Sequence, residues 1–234
     1  MFCMKIGVYT DAHYSSQEIT CGRRYNSQSL RKIKEAYEFF KKECCELVVC
    51  LGDLIDTETT TEKEVQNLID IAAIIRKSNI PTVCLMGNHD AFVLERKRFY
   101  EILGIPSIDE LHLNGRRLLF WDACYFKNGS HYAPGDTDWT DSFLPNDEGI
   151  HKKLASSAED TYIFVHQNID PAIRADHRIF NADKVFAIIN ESGIVKAVFQ
   201  GHYHPGCHSE YSGVNYITLP AMCEGENAFW TYDI

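Results

Sequence analysis

The stretch that decides the fold is Val198–Gly206, VFQGHYHPG. An apolar run of strand type ends in Gly201, and His202 and His204 follow it one residue apart. Moving outward, the same arrangement recurs. The run MKIGVYT (4–10) leads into Asp11 and His13, and ELVVCLG (46–52) leads into Asp53. IPTVCLMG (80–87) leads into Asn88, His89 and Asp90, and TYIFV (161–165) leads into His166. Strand ends that each deliver polar side chains describe an α/β sheet with a site outside the carboxyl ends of its strands. In extended chain, residues i and i+2 point the same way, so Asp11 with His13, and His202 with His204, are each expected to face one place. Glycines ahead of three of these clusters let the backbone turn sharply and come close to what is bound.

Helical periods fill the gaps between strands. Leu30, Ile33, Tyr37 and Phe40 recur at helical spacing, with Asn26 or Ser27 as the expected N-cap. In EKEVQNLIDIAAIIRKS (62–78), Val65, Leu68, Ile69, Ala72 and Ile75 are expected on one face, and LERKRFYEILG (94–104) predicts a helix ending at Gly104. This βαβαβ order predicts an α/β domain with a parallel region covered by helices. The second half predicts a strand in RRLLFWDACYF (116–126), a helix near Asp147–Ser157, a helix in ADKVFAIINES (182–192), and closing strands in VNYITLP (214–220) and NAFWTYDI (227–234). These strands call for a second sheet or antiparallel edges. Residues 127–146 are too long for a turn and carry Trp139 and Phe143, which makes the segment a candidate lid. No linker or repeat interrupts the chain, so residues 1–234 are expected to form one domain.

Composition narrows the partners. The formal net charge of −10 argues against a nucleic-acid polymer, whose backbone is bound through Lys and Arg. A small phosphate ester remains compatible, because bound cations reverse the local field. The nine cysteines are odd in number, several lie within apolar runs, and none forms a CxxC pair. They read as free thiols of a reducing cytoplasm, with Cys207 and Cys223 expected as buried thiols rather than ligands. The N-terminal run reads as a strand rather than a signal peptide, and no apolar run reaches membrane-spanning length, so no membrane partner is expected.

The polar clusters gain meaning together. Asp11, His13, Asp53, Asn88, His166, His202 and His204 make seven metal-capable side chains: two Asp, one Asn and four His. Packing such groups together without a cation would bury carboxylates and imidazoles at a cost. Seven donors exceed one tetrahedral ion and suit two ions sharing a bridge. Mixed imidazole and oxygen donors fit Mn, Fe, Zn or Ni better than Ca. Two metals about 3.5–4 Å apart can clamp the attacking and leaving oxygens of a phosphoryl transfer.

Asp11-x-His13, Gly52-Asp53-x-x-Asp56, Gly87-Asn88-His89-Asp90, His166 and Gly201-His202-x-His204 resemble, in order, the motifs of the calcineurin-like metallophosphoesterases. The resemblance implies a four-layer α/β/β/α sandwich of two mixed sheets and two divalent metal ions. Asp11, His13 and His204 would hold the first ion, Asn88, His166 and His202 the second, and Asp53 would bridge them. The implied reaction is hydrolysis of a phosphoester or phosphoanhydride by a metal-bridging hydroxide. His89 would assist the leaving group, Asp90 would orient His89, and Asn88 would also reach the phosphoryl group. Purple acid phosphatases of this family carry Tyr where this chain has Asp56, so their iron chemistry is not expected. A non-catalytic scaffold of the same fold would be expected to have lost some of these residues.

The segment CGRRYNSQSL (21–30), with LGDLID after the next helix and GHYHPGCHSEYSGVNYITL near the end, resembles the manganese-dependent ADP-ribose/CDP-alcohol diphosphatases. That resemblance favours manganese and a small, nucleotide-like substrate, with Arg23 or Arg24 on a phosphate and Tyr25 stacking on a base. The plainer alternative is a solvated arginine loop with Tyr25 packed on the helix. A cyclic-nucleotide phosphodiesterase or a generic phosphatase is the competing activity. His131, His151, His177 and His208 are expected at the surface, and His112 at a strand edge.

Overall fold

The computed structural model describes residues 4–136 and 142–234, so Trp139 of the candidate lid lies outside the described residues. Valine- and isoleucine-rich runs form β1 (Lys5–Tyr9), β2 (Leu47–Cys50) and β3 (Thr82–Cys84), paired parallel, while β10 (Phe229–Asp233) pairs antiparallel with β1. A second sheet contains β4 (Glu110–Leu113), β5 (Arg116–Trp121), β6 (Thr161–Val165), β7 (Val195–Gln200), β8 (Cys207–Tyr211) and β9 (Val214–Thr218). The strand orders are β10-β1-β2-β3 and β4-β5-β6-β7-β9-β8. Both sheets are mixed, because β4 and β8 join the second one antiparallel.

Alternation along the strands builds the layers. Ile6, Val8, Leu47, Val49, Phe120, Phe164 and Phe199 point between the sheets and form one core. There Phe164 stacks on Phe120 at 5.3 Å and on Phe199 at 5.0 Å between ring centroids. The opposite faces of β1 and β2 pack through Tyr9, Val48 and Cys50 against α1 (Ser29–Lys42) and α2 (Thr61–Ser78). Ile163, Val165 and Val198 meet α5 (Asp147–Ala155) and α6 (Ala182–Glu191) on the far side. Three cores separate four layers, α/β/β/α, as the resemblance implied.

Some local expectations differ. The buried face of α2 is Leu68, Ile71, Ala72 and Ile75, and Ile69 is exposed. Asn26 does not cap α1, because its side chain is engaged elsewhere, as described below. The strands β4 and β8 carry no continuous apolar run, being two-faced edge strands, and the sequence pattern did not define them. Residues 88–93 form a short helix, α3 (Asn88–Val93), followed by α4 (Arg96–Leu103), which ends at Gly104 as expected. The eight described cysteines are free; five are buried, while Cys21 and Cys44 are exposed. No helix among the described residues is long and apolar enough to cross a membrane.

Candidate metal centre

The carboxyl ends of β1, β2, β3, β6 and β7 converge. Backbone bonds tie their loops together: Asp11 N donates to Gly52 O (3.0 Å), His13 N to Asp53 O (2.9 Å) and Gly201 N to His166 O (2.9 Å). The side chains are not aimed by strand pleating. Asp11, His13, Asp53 and His202 all have positive φ, between 45° and 64°. Left-handed turns therefore present the paired residues, which corrects the expectation from extended chain. Such backbone costs non-glycine residues about 1–3 kcal/mol each and gathers at functional sites.

Two donor groups result. Asp11 Oδ1, His13 Nε2 and His204 Nε2 form a triangle with separations of 3.6, 3.4 and 3.2 Å. Across from it, His166 Nε2 lies 3.2 Å from Asn88 Oδ1, and ligand atoms of Asp53, His166 and His202 all fall within 4.8 Å of one another. Asp53 stands between the groups, with Oδ2 3.2 Å from His166 Nε2 and 3.5 Å from His13 Nε2. Its other oxygen accepts from His89 N (2.8 Å). All seven residues anticipated as ligands are thus gathered in one place, and His202 and His204 belong to different groups.

Close approach explains two glycines. A Cβ on Gly87 would overlap the Asp53 carboxylate, and one on Gly201 would overlap the Thr10 hydroxyl and lie 2.7 Å from Asp11 Oδ2. At Gly87 the backbone angles (φ −92°, ψ 176°) suit any residue, so space alone demands glycine there.

The electrostatics favour cations. Burial would lower His13, but the facing Asp11 and Asp56 carboxylates and the charge of Asp53 lift it to about 10. Burial likewise opposes His166, which Asp53 raises to about 9. Against burial, the surrounding imidazoles hold Asp11, Asp53 and Asp56 well below the usual carboxylate range. His202, buried beside His166, is pushed down to about 3. Asp11 Oδ1 is buried and has no hydrogen-bond partner among the described residues. A buried carboxylate oxygen in that state is costly unless a cation meets it. Metal-ligating histidines are oriented by a bond at the other ring nitrogen, and His166 Nδ1 donates to Leu51 O (3.1 Å). These residues fit a pair of divalent cations.

His89 projects from α3 beside this centre, its ring 4.5 Å from that of His13 between centroids. The expected orienting role of Asp90 is corrected. The oxygens of Asp90 accept from Ile55 N and Gly87 N, both at 3.0 Å, so it ties α3 to the loop after β2. Burial and the Asp53 charge raise it to about 7. Among the described residues, the carboxylate that meets the His89 ring is Asp56, whose Oδ1 accepts from Nδ1 at 3.1 Å. Asp56 also accepts from Asn26 Nδ2 (3.2 Å) and lies 3.5 Å from Arg24 Nη1, so Asn26 supports the site where a helix cap was expected. The sequence signal for Asp56 was present, since it closes Gly52-Asp53-x-x-Asp56.

Above the centre lies a cavity of about 310 Å³. Asp53, Asn88, His89, His202 and His204 line it, together with Arg23, Arg24, Arg174, Asp176, His177 and Tyr203. Tyr25 is not among the lining residues; its ring faces Lys32 of α1 at 6.0 Å. His177, expected at the surface, packs against His202 and Tyr203 with centroid distances of 5.6 and 5.2 Å. Nothing in the sequence spacing marked Arg174 and His177, because a loop between β6 and α6 brings them in.

A family model described as calcineurin-like phosphoesterase matches residues 4–206. Among curated proteins, the chain is 23% identical to a "Probable cyclic nucleotide phosphodiesterase" of Psychrobacter arcticus, over 92% of this chain and 74% of the relative. It is 25% identical to a manganese-dependent ADP-ribose/CDP-alcohol diphosphatase of Oryza sativa subsp. japonica, over 95% of this chain and 85% of the relative. Among solved structures, a dimetal phosphatase from Danio rerio superimposes with a TM-score of 0.83 at 18% identity, covering 99% of this chain and 92% of that one.

Proposed function

The chain belongs to the calcineurin-like phosphoesterase family, and from that premise we propose that it hydrolyses a phosphodiester or diphosphate bond in a small, nucleotide-like substrate. The enzyme is a metal-dependent hydrolase. In this reading Asp11, His13 and His204 hold one divalent ion, Asn88, His166 and His202 hold the other, and Asp53 serves both. The observation that carries the reading is the position of Asp53 Oδ2, 3.2 and 3.5 Å from imidazole nitrogens of the two groups. When bound, the ions supply Lewis acidity and activate water near neutral pH.

The chain's own groups do the rest. Asp56 accepts from His89 Nδ1 and so orients the ring, which leaves Nε2 to deliver a proton to the leaving oxygen. The buried Nδ2 of Asn88 has no hydrogen-bond partner among the described residues and would donate to a phosphoryl oxygen. Arg23 and Arg24 line the cavity, each beside a carboxylate, Glu224 and Asp56, and their remaining guanidinium donors would meet a second phosphate, which favours a diphosphate over a lone ester. Tyr25 has no part in this reading. Manganese is the favoured metal, supported by the oxygen and imidazole donors and by the name of the rice relative.

A cyclic-nucleotide phosphodiesterase is the second reading, supported by the Psychrobacter relative. Turnover of ADP-ribose, CDP-choline, cyclic AMP and bis(p-nitrophenyl) phosphate, measured with Mn, Fe, Zn and Ni in turn, decides between them. Preference for the two diphosphates supports the first reading, preference for cyclic AMP supports the second, and no turnover with any metal refutes both.

A further inference from the structure

We infer that Glu224 is a positioning residue that sets His204 for its ion and joins the metal centre to the arginine loop. The inference rests on the two-ion reading above. Glu224 lies in the segment after β9, which is stitched to the end of β1: Met222 N donates to Thr10 O and Cys223 N to Asp11 O, each at 3.0 Å. The buried Lys32 of α1 donates from Nζ to Met222 O (3.0 Å), and Tyr25 N donates to Cys223 O (2.9 Å). Residues 222–224 are therefore held on both sides by backbone bonds to the metal-site loop and the arginine loop.

From that fixed backbone, Glu224 Oε1 accepts from His204 Nδ1 at 2.5 Å. An imidazole binds a cation through one nitrogen, and the bond made by the other chooses which one. Glu224 keeps the proton on Nδ1 and presents Nε2 to the triangle with Asp11 and His13. His166, in the other donor group, has its Nδ1 satisfied by a neutral carbonyl. A carboxylate in that role makes the ring a stronger donor. The two positions therefore differ in strength, and the one with the carboxylate partner is tighter.

The same Oε1 lies 3.1 Å from Arg23 Nε. Arg23 is 64% exposed at the cavity rim, so a tether decides whether it stands over the site or swings into solvent. One carboxylate thus orders a metal-facing imidazole and a substrate-facing guanidinium.

The test is titration of the metal-free protein with Mn²⁺ by calorimetry, for wild type, Glu224→Ala, Glu224→Gln and Arg23→Ala, with melting curves confirming that each variant folds. Glu224→Ala is expected to weaken one of the two ions by about 10–100-fold and leave the other near wild type. Glu224→Gln keeps an acceptor for His204 Nδ1 but not the charge, and is expected to bind that ion with an affinity between those of wild type and Glu224→Ala. Arg23→Ala is expected to raise KM for ADP-ribose without changing either metal affinity. Both ions binding Glu224→Ala at wild-type affinity would overturn the inference, as would Glu224→Gln losing as much as Glu224→Ala. Wild-type protein that binds fewer than two ions would instead refute the two-ion reading.

Discussion

Replacing Gly87 with alanine should disable the centre through a single methyl group. The backbone there needs no glycine, since φ is −92°, so the substitution introduces no dihedral strain. The new Cβ would overlap Asp53 Oδ1 and the Asp53 amide nitrogen and lie 2.8 Å from Asp53 Cγ. Carbon atoms rest about 3.5–4.0 Å apart, so the Asp53 carboxylate and the turn below it must retreat by about 1 Å. Overpacking of this kind costs about 1–3 kcal/mol. For a chain of this size, that lowers Tm by about 2–12 °C. Function suffers more, because Asp53 faces both donor groups and a 1 Å displacement of a positioned group costs about 100-fold in rate. Melting of the metal-free protein, calorimetric Mn²⁺ titration and hydrolysis of bis(p-nitrophenyl) phosphate together read these effects. Unchanged melting with wild-type affinity for both ions would refute the packing argument.

Further outcomes are expected. Asp56→Asn should lower kcat about 10–100-fold for a substrate with a poor leaving group and much less for a p-nitrophenyl ester, because protonation of the leaving oxygen matters only in the first case; equal losses on both would contradict the role given to His89. With His13 lifted to about 10 and His166 to about 9, both rings are protonated at pH 7 and must lose those protons to bind ions. Metal loading at pH 7 should therefore release about two protons and tighten as pH rises, read from calorimetry in buffers of different ionisation enthalpy. Absence of any buffer dependence would sink that statement. Away from the site, burial opposes the charge on His131, but its bond to Asp122 (3.1 Å) raises its pKa above the ordinary value of 6.5. A raised histidine stabilises fully below its unfolded pKa and loses that contribution as pH rises through the folded one. Between wild type and His131→Gln, the stability gap should therefore narrow from about pH 6 upward, and a gap constant with pH would contradict this.

Where chemistry follows a strand directly, the sequence was readable. Asp11, His13, Asp53, Asn88, His166, His202 and His204 each follow an apolar run, and buried parallel strands write such runs plainly. The same runs disclosed β1, β2, β3, β6 and β7. The reason for convergence was not legible, because left-handed turns at Asp11, His13, Asp53 and His202 depend on neighbouring loops rather than on local pattern. Asp90 and Asp56 show a related limit. Both lie in motifs, but only the packing of α3 against the loop after β2 decides which carboxylate meets His89. Glu224, Arg174 and His177 come from loops distant in sequence, whose approach to the cavity is fixed by tertiary contacts alone.

The account stands most directly on what lies on either side of Asp53. Anomalous diffraction from a crystal soaked in manganese should show two peaks about 3.5–4 Å apart, one beside Asp11, His13 and His204 and the other beside Asn88, His166 and His202, with the Asp53 carboxylate between them. A single peak, or a pair that Asp53 does not touch, would contradict it.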